Sequence, residues 1–222
     1  MDRRVQPWRT LRLRAPASVI HRWWPADEGS PWLLSAEPTA PTVVLGSTTR
    51  VDAIDAASLV AKGYDIVRRG SGGGAVVVAP GEQAWFHVFV PASDPRLDPH
   101  LGRSFLWLGE AVAEALGALG VADVTVVREV PERVPLSTQV CFAGWGWGEV
   151  AVGGNKVAGL AQRRRRGGAI FQVAVLWRDR QRELVDALRD RPEGTMASLG
   201  LEQLGIELDP LVATVRRAIL AR

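Results

Sequence analysis

Two stretches of the 222-residue sequence carry residue types that could do chemistry. The first is Arg68-Arg69-Gly70-Ser71-Gly72-Gly73-Gly74, which runs into the apolar stretch Ala75 to Ala79. Glycine has no Cβ and takes positive φ freely, so a run of three lets the main chain approach a ligand closely and exceeds what a hairpin turn needs. The second is Lys156, just after Gly153-Gly154. Of 27 Lys and Arg residues only Lys62 and Lys156 are Lys. Where Arg is the usual cation, a lysine sharing a strand face with Ala158, Leu160 and Gln162 points to a pocket that needs a compact ammonium. The alternative is a lysine that snorkels to solvent at a strand end. Cys141, the lone cysteine, is a nucleophile if a cation stands beside it and a small buried core residue otherwise.

Other chemistries are excluded or disfavoured. Gly70, Gly72 and Ala75 match a dinucleotide fingerprint, but that motif needs a helix next and the following residues read as a strand. No phosphate-binding P-loop is present. His21, His87, His100 and Cys141 have no metal-ligand spacing, and one cysteine excludes an intrachain disulfide, which fits a reducing, cytoplasmic setting. With 47% apolar residues, 23% charged residues and a mean hydropathy of +0.03, the chain is not disordered. No apolar run approaches the roughly 20 residues that span a bilayer. Arg163 to Arg166 and the nine Trp could suggest nucleic acid, but the net charge is only +3, and an Arg run between strands reads as a solvated loop. The run could also attract an acidic carrier protein. Five Arg between Arg3 and Arg14 lack the apolar segment of a secretory signal and read as a strand or arm.

Around these residues the pattern predicts a strand at 42–46, a helix at 52–62 capped at Asp52 and stopped at Gly63, and a strand at 64–69. It predicts a β-hairpin of 75–79 and 84–90 about Pro80-Gly81, a helix over 99–119, and a strand at 121–128. Strands at 149–152, 155–162 and 169–177 form a meander, and 179–191 and 209–221 are helical. The fold class is α+β, with a mixed or antiparallel sheet flanked by helices: one domain over 1–222, its core about 40–190, with a short helical C-terminal extension and no accessory domain.

RRGSGGGAV at 68–76, followed by CF-x(6)-EVAV-x(2)-NKVAG at 141–159 and GGNKVAGLAQRR at 153–164, resembles the paired signatures of the lipoate-protein ligases and octanoyltransferases. The resemblance covers roughly residues 40–190. It implies a biotin/lipoate-ligase-like catalytic domain that attaches a lipoyl or octanoyl group to a lysine of a lipoyl carrier domain or glycine-cleavage carrier protein. On the ligase reading, which it favours, Arg69, Ser71, Gly72, Gly73, Gly74, Ala75, Val76, Val77 and Gly159 line an acyl-adenylate and Lys156 contacts carbonyl and phosphate oxygens. That reading requires ATP with magnesium and lipoate, and a separate accessory subunit could be needed for adenylation. The alternative is a thioester transferase without a cofactor, in which Cys141 carries the acyl group, Lys156 lowers its pKa and acyl carrier protein can be the donor. An inactive acyl- or carrier-binding relative is a third reading. Two departures favour it: Gln172-Val173-Ala174 where the family often has Gln-His-Gly, expected to remove a polar group near the site, and Pro80-Gly81-Glu82 after the glycine run. Strand pairing alone sets Lys156 opposite about Ala151, so Cys141 meets it only if Gly144 to Gly148 fold back.

Overall fold

The computed structural model describes residues 6–222, so Asp2, Arg3 and Arg4 lie outside the described residues. The chain forms β1 (Arg9–Ala15), α1 (Ala17–Arg22), β2 (Trp32–Pro38), β3 (Thr42–Leu45), α2 (Ala56–Ala61), β4 (Asp65–Arg68), β5 (Val76–Val78) and β6 (Gln83–Pro91). These are followed by α3 (Leu106–Ala118), β7 (Val124–Val126), β8 (Val150–Val152), β9 (Asn155–Arg165), β10 (Gly168–Leu176), α4 (Gln181–Asp186) and α5 (Leu208–Leu220). The strands form two sheets. The larger runs β1-β2-β6-β10-β9-β8-β7 and is antiparallel except for the β1–β2 pair, and the smaller runs β4-β3-β5. Both sheets are mixed, as the pattern predicts.

Period-two alternation assigns each strand face to a different layer. Phe86 and Val88 of β6 and Phe171 and Val173 of β10 pack with α3 and α5 in the main core. On the opposite face Trp85 joins Ile20 of α1 and Val78 of β5 in a layer between the sheets. Val77 points the other way, into a third cluster with Leu59 of α2 and Leu184 of α4. No described helix is long and apolar enough to cross a membrane.

Five expectations are corrected. First, β5 and β6 are not a hairpin: Gly81 turns the chain at φ +69°, but β5 joins β3 and β6 joins β10. Side-chain amides replace the expected ladder. Gln83 bonds both the N–H and the carbonyl of Ala79, and Gln181 does the same for Val77. Second, the helix cap is Asp55, whose carboxylate accepts from Ser58 N at 3.1 Å, while Asp52 sits in a short 3-10 turn. Third, the regular helix predicted from 99 starts at Leu106, after a 3-10 turn at Arg103–Phe105. Fourth, the C-terminal helix is no appendage, because Leu211, Val215 and Ile219 are fully buried in the main core. The Arg run is not a solvated loop either: β9 extends to Arg165, and Arg163 and Arg165 lie over the Trp24 ring.

His87 of β6 is fully buried between the sheet and α1, among His21, Trp23 and Trp85. Neither ring nitrogen has a partner. Burial, helped by the charge of Arg163, lowers its pKa from 6.5 to about 3. Between those values the unfolded chain binds a proton that the folded chain refuses. His87 therefore contributes its full stability above pH 6.5 and loses it as pH falls toward 3, at about 1.4 kcal/mol per pH unit. Denaturant melts of His87→Leu across this window should show a shallower pH dependence than the parent chain; parallel curves would contradict the assignment.

Candidate active site

The register puts Lys156 opposite Ala151, with a bulge at Val150/Ala151. Its main chain is pinned on the other edge, where Lys156 N donates to Ala197 O at 2.7 Å and Leu199 N to Lys156 O at 3.1 Å. Its side chain is only 1% exposed. The ammonium has three N–H bonds and three acceptors: Glu149 Oε2 at 2.6 Å, and the main-chain carbonyls of Cys141 and Gly144, each at 2.9 Å. It also lies 4.9 Å from the centre of the Phe142 ring. Gly144 to Gly148 therefore do fold back. The tie is Glu149, itself 5% exposed, whose Oε2 also accepts from Gly146 N at 2.6 Å and whose Oε1 accepts from Leu160 N at 3.4 Å.

A second set of bonds joins Cys141 to the glycine run. Ala75 N donates to Gln139 O at 2.6 Å and Cys141 N donates to Ala75 O at 2.8 Å. A Cβ on Gly74 would stand 2.6 Å from the Val140 carbonyl carbon, so this crossing demands glycine for packing. Gly73 has φ +95°, which side-chain-bearing residues rarely adopt, while Gly72 faces open space. Arg69 props the run from beneath, donating to the carbonyls of Val44, Gly72 and Gly74. Burial lowers its pKa, an effect that the nearby Cys141 opposes, and the two residues line the same spaces. Lys156, by contrast, bonds the carbonyl of Cys141 and is neutralised by Glu149.

The residues enclose two connected spaces. An open cleft is lined by Gly72, Gly73, Gly74, Glu149 and Lys156, with Leu160 and Gln162 of the face predicted for the lysine; Ala158 of that face is core. A narrow, largely apolar cavity runs between the sheets, walled by Val76, Val78, Trp85, Phe142, Gly159 and Ala174, with His21 and Gln172 also in its lining. Arg69, Cys141, Leu160 and Ala161 line both, so the cysteine stands at the doorway.

Of the predicted site residues, Ser71 works indirectly, donating to Gln172 Oε1 at 2.8 Å. Ala75 and Val77 line neither space and are corrected to core positions, because β5 turns only Val76 and Val78 toward the cavity. Val173 is corrected too. It is buried in the main core on the opposite face from Gln172, so the missing histidine takes no group from the cavity wall at that position. Glu82 pairs with Arg180 at 2.5 Å and lines neither space. Glu149, His21, Trp85 and Phe142 were not anticipated as site residues. For Glu149 the available signal was an acid opening a buried strand seven residues before the rare lysine.

A sequence profile of the lipoyl protein ligase A/B catalytic domain matches residues 16–210. The chain belongs to this family. Octanoyltransferase LipM of Staphylococcus aureus is 31% identical over 128 residues, 55% of this chain and 45% of that protein, so the match spans about half of the relative. Among solved structures, lipoate-protein ligase A bound with ATP superposes with a TM-score of 0.75 at 21% identity, covering 96% of this chain and 84% of that one. The bipartite lipoate protein ligase of Thermoplasma acidophilum, described with its E2 lipoyl domain, gives 0.71 at 18% identity over 96% and 82%. The fold is thus that of the lipoate-ligase catalytic domains, and the family match extends beyond the 40–190 core on both sides.

Removing Glu149 leaves the Lys156 ammonium buried without its counter-charge. Glu149→Gln should cost about 3–5 kcal/mol of unfolding free energy, and Glu149→Gln with Lys156→Met should regain most of it in denaturant titrations. A loss under about 1 kcal/mol for the single variant would show that the pair does not hold the loop.

Proposed function

We propose that this lipoyl ligase A/B family member transfers an octanoyl or lipoyl group to a lysine of a lipoyl-type carrier domain, through a thioester on Cys141. The observation that carries this reading is the position of Cys141, which lines both the apolar cavity and the open cleft. An acyl chain in the cavity presents its carbonyl at the thiol, and the cleft admits the donor and then the carrier lysine. Arg69 is the cation that lines both spaces together with Cys141.

In the first step the Cys141 thiolate attacks the carbonyl of a donor thioester. The new C–S bond forms, the donor C–S bond breaks, and the donor thiolate takes up a proton. In the second the neutral ε-amine of the carrier lysine attacks the same carbonyl. The amide bond forms, the Cys141–acyl bond breaks, and the proton lost by the amine goes to the departing sulfur. Lys156 acts as a positioning residue, holding the Cys141 and Gly144 carbonyls and hence the doorway.

The ATP-dependent ligase reading draws support from the fold shared with an ATP-bound ligase. The residues carried over for an adenylate fit it less well in this arrangement. All three Lys156 N–H bonds end on protein acceptors, and Arg69 gives three of its five N–H groups to carbonyls, its Nε–H having no partner. Glu149, the carboxylate lining the cleft, is already paired with Lys156. We therefore derive no step through ATP.

Incubated with an octanoyl thioester donor and no carrier, the chain should gain the mass of one octanoyl group, released by neutral hydroxylamine, and Cys141→Ala should gain none. Equal acylation of Cys141→Ala, or an adduct that resists hydroxylamine, would rule out the thioester.

A further inference from the structure

The consecutive arginines Arg163 to Arg166 take no part in the chemistry above, yet they stand on the strand that lines it. β9 pairs with β8 only as far as Ala158, and beyond that point Leu160, Ala161 and Gln162 line the cleft. The same strand continues to Arg165, and Arg166 with Gly167 makes the turn into β10. At roughly 3.3 Å per strand residue, Arg165 lies about 13 Å from Ala161, which lines both spaces as Cys141 does.

The cations of this tip are crowded and lack counter-charge. Arg163 donates to Trp23 O at 3.2 Å, and Arg164 donates to Gln162 Oε1 at 3.0 Å and Asp98 O at 2.7 Å, all uncharged acceptors. Arg163 and Arg165 share the Trp24 ring, 5.4 and 4.7 Å from its centre, and burial together with the charge of Arg165 lowers the pKa of Arg163. Arg165 and Arg166 are exposed. The acids of the neighbouring loops are engaged elsewhere: Asp27 pairs with Arg9 at 3.0 Å, Asp98 with Arg103 at 3.3 Å, and Glu28, which lies against Gly167, accepts from Trp24 Nε1 at 2.6 Å. Among the described residues none of the arginines from Arg163 to Arg166 is in an ion pair. Like charges gathered on an exposed tip set up a positive potential that an acidic surface neutralises.

The proposed reaction brings two partners to the cleft, the acyl donor and the lysine carrier. A lysine side chain, a short run of single bonds of about 1.5 Å, reaches only about 6 Å. The carrier must therefore press on the mouth of the cleft itself, where Leu101, Arg133 and Trp145 stand. A charged tip set to one side suits a partner whose acyl group arrives on a longer arm. We propose that the tip formed by Arg163 to Arg166 is the docking surface for an acidic donor protein, which delivers its acyl thioester on a flexible arm lying along β9 into the cleft. This inference rests on the acyl-transfer reading above and adds the class of donor and where it binds.

The test compares octanoyl-loaded acyl carrier protein with octanoyl-pantetheine, a small uncharged donor, by the rate at which the chain gains an octanoyl mass. In the parent chain the rate with the loaded acyl carrier protein should fall steeply as salt is raised, while the rate with the small donor holds. Arg165→Glu combined with Arg166→Glu should lower kcat/KM for the loaded acyl carrier protein about tenfold at low ionic strength. The same variant should leave unchanged both the rate with the small donor and the transfer from acylated enzyme to an apo lipoyl domain. Should the variant fail to fold, the parent chain decides: equal salt sensitivity with the two donors overturns the proposal. So does a folded variant that keeps its full rate with the loaded acyl carrier protein, loses rate equally with both donors, or loses only the transfer to the lipoyl domain. Each of these outcomes leaves acyl transfer standing, and the last would make the tip a carrier surface. Acylation by neither donor overturns the thioester reading, and the proposal with it.

Discussion

An ammonium with 1% exposure survives in a protein interior only if its charge is matched and each of its N–H bonds is accepted. Lys156 meets both conditions with one carboxylate and two main-chain carbonyls, and each acceptor constrains a different segment. Glu149 holds the segment ahead of β8, Cys141 holds the turn that follows the bridge to Ala75, and Gly144 holds the start of the returning loop. The same carboxylate accepts from Gly146 and Leu160, so a single buried pair closes the loop onto β9. The position of the thiol at the doorway is a consequence of that closure.

The glycine run supplies the other side of the doorway. Its conformation answers two demands at once: Gly74 and Gly73 let the main chain cross Val140 and turn, and Gly72 leaves the cleft unobstructed. Arg69 ties the run to β3 through Val44. Because β5 belongs to the small sheet and β6 to the large one, the chain after the run separates the two layers, and the cavity occupies the gap between them. One sequence stretch thus shapes the cleft, the doorway and the cavity wall.

Much of this was legible in the sequence because it is written in local pattern. The lone lysine, the three glycines and the cysteine stand out by type, and β9, β10 and α5 follow from periodicity. What was not legible depends on side chains acting at a distance. The amides of Gln83 and Gln181 take the place of strand partners, so an apparent hairpin splits between two sheets. The N-terminal Arg stretch reads as a strand or arm and is β1, but α1 and β2 were not predicted as elements, and their weak patterns become clear only against β6, where α1 brings His21 over Trp85. The faces of Val77 and Val173 are set by which layer each strand meets, and nothing in their neighbours along the chain reports it.

The central claim is that the doorway cysteine passes an acyl group from a thioester donor to a carrier lysine. Its most direct test is the intact mass of an apo lipoyl carrier domain after incubation with the chain in two parallel reactions, one with octanoyl-loaded acyl carrier protein and one with lipoate, ATP and magnesium. The account predicts modification of the carrier in the first reaction and none in the second. Modification only in the second would contradict it and return Cys141 to the role of a packing residue.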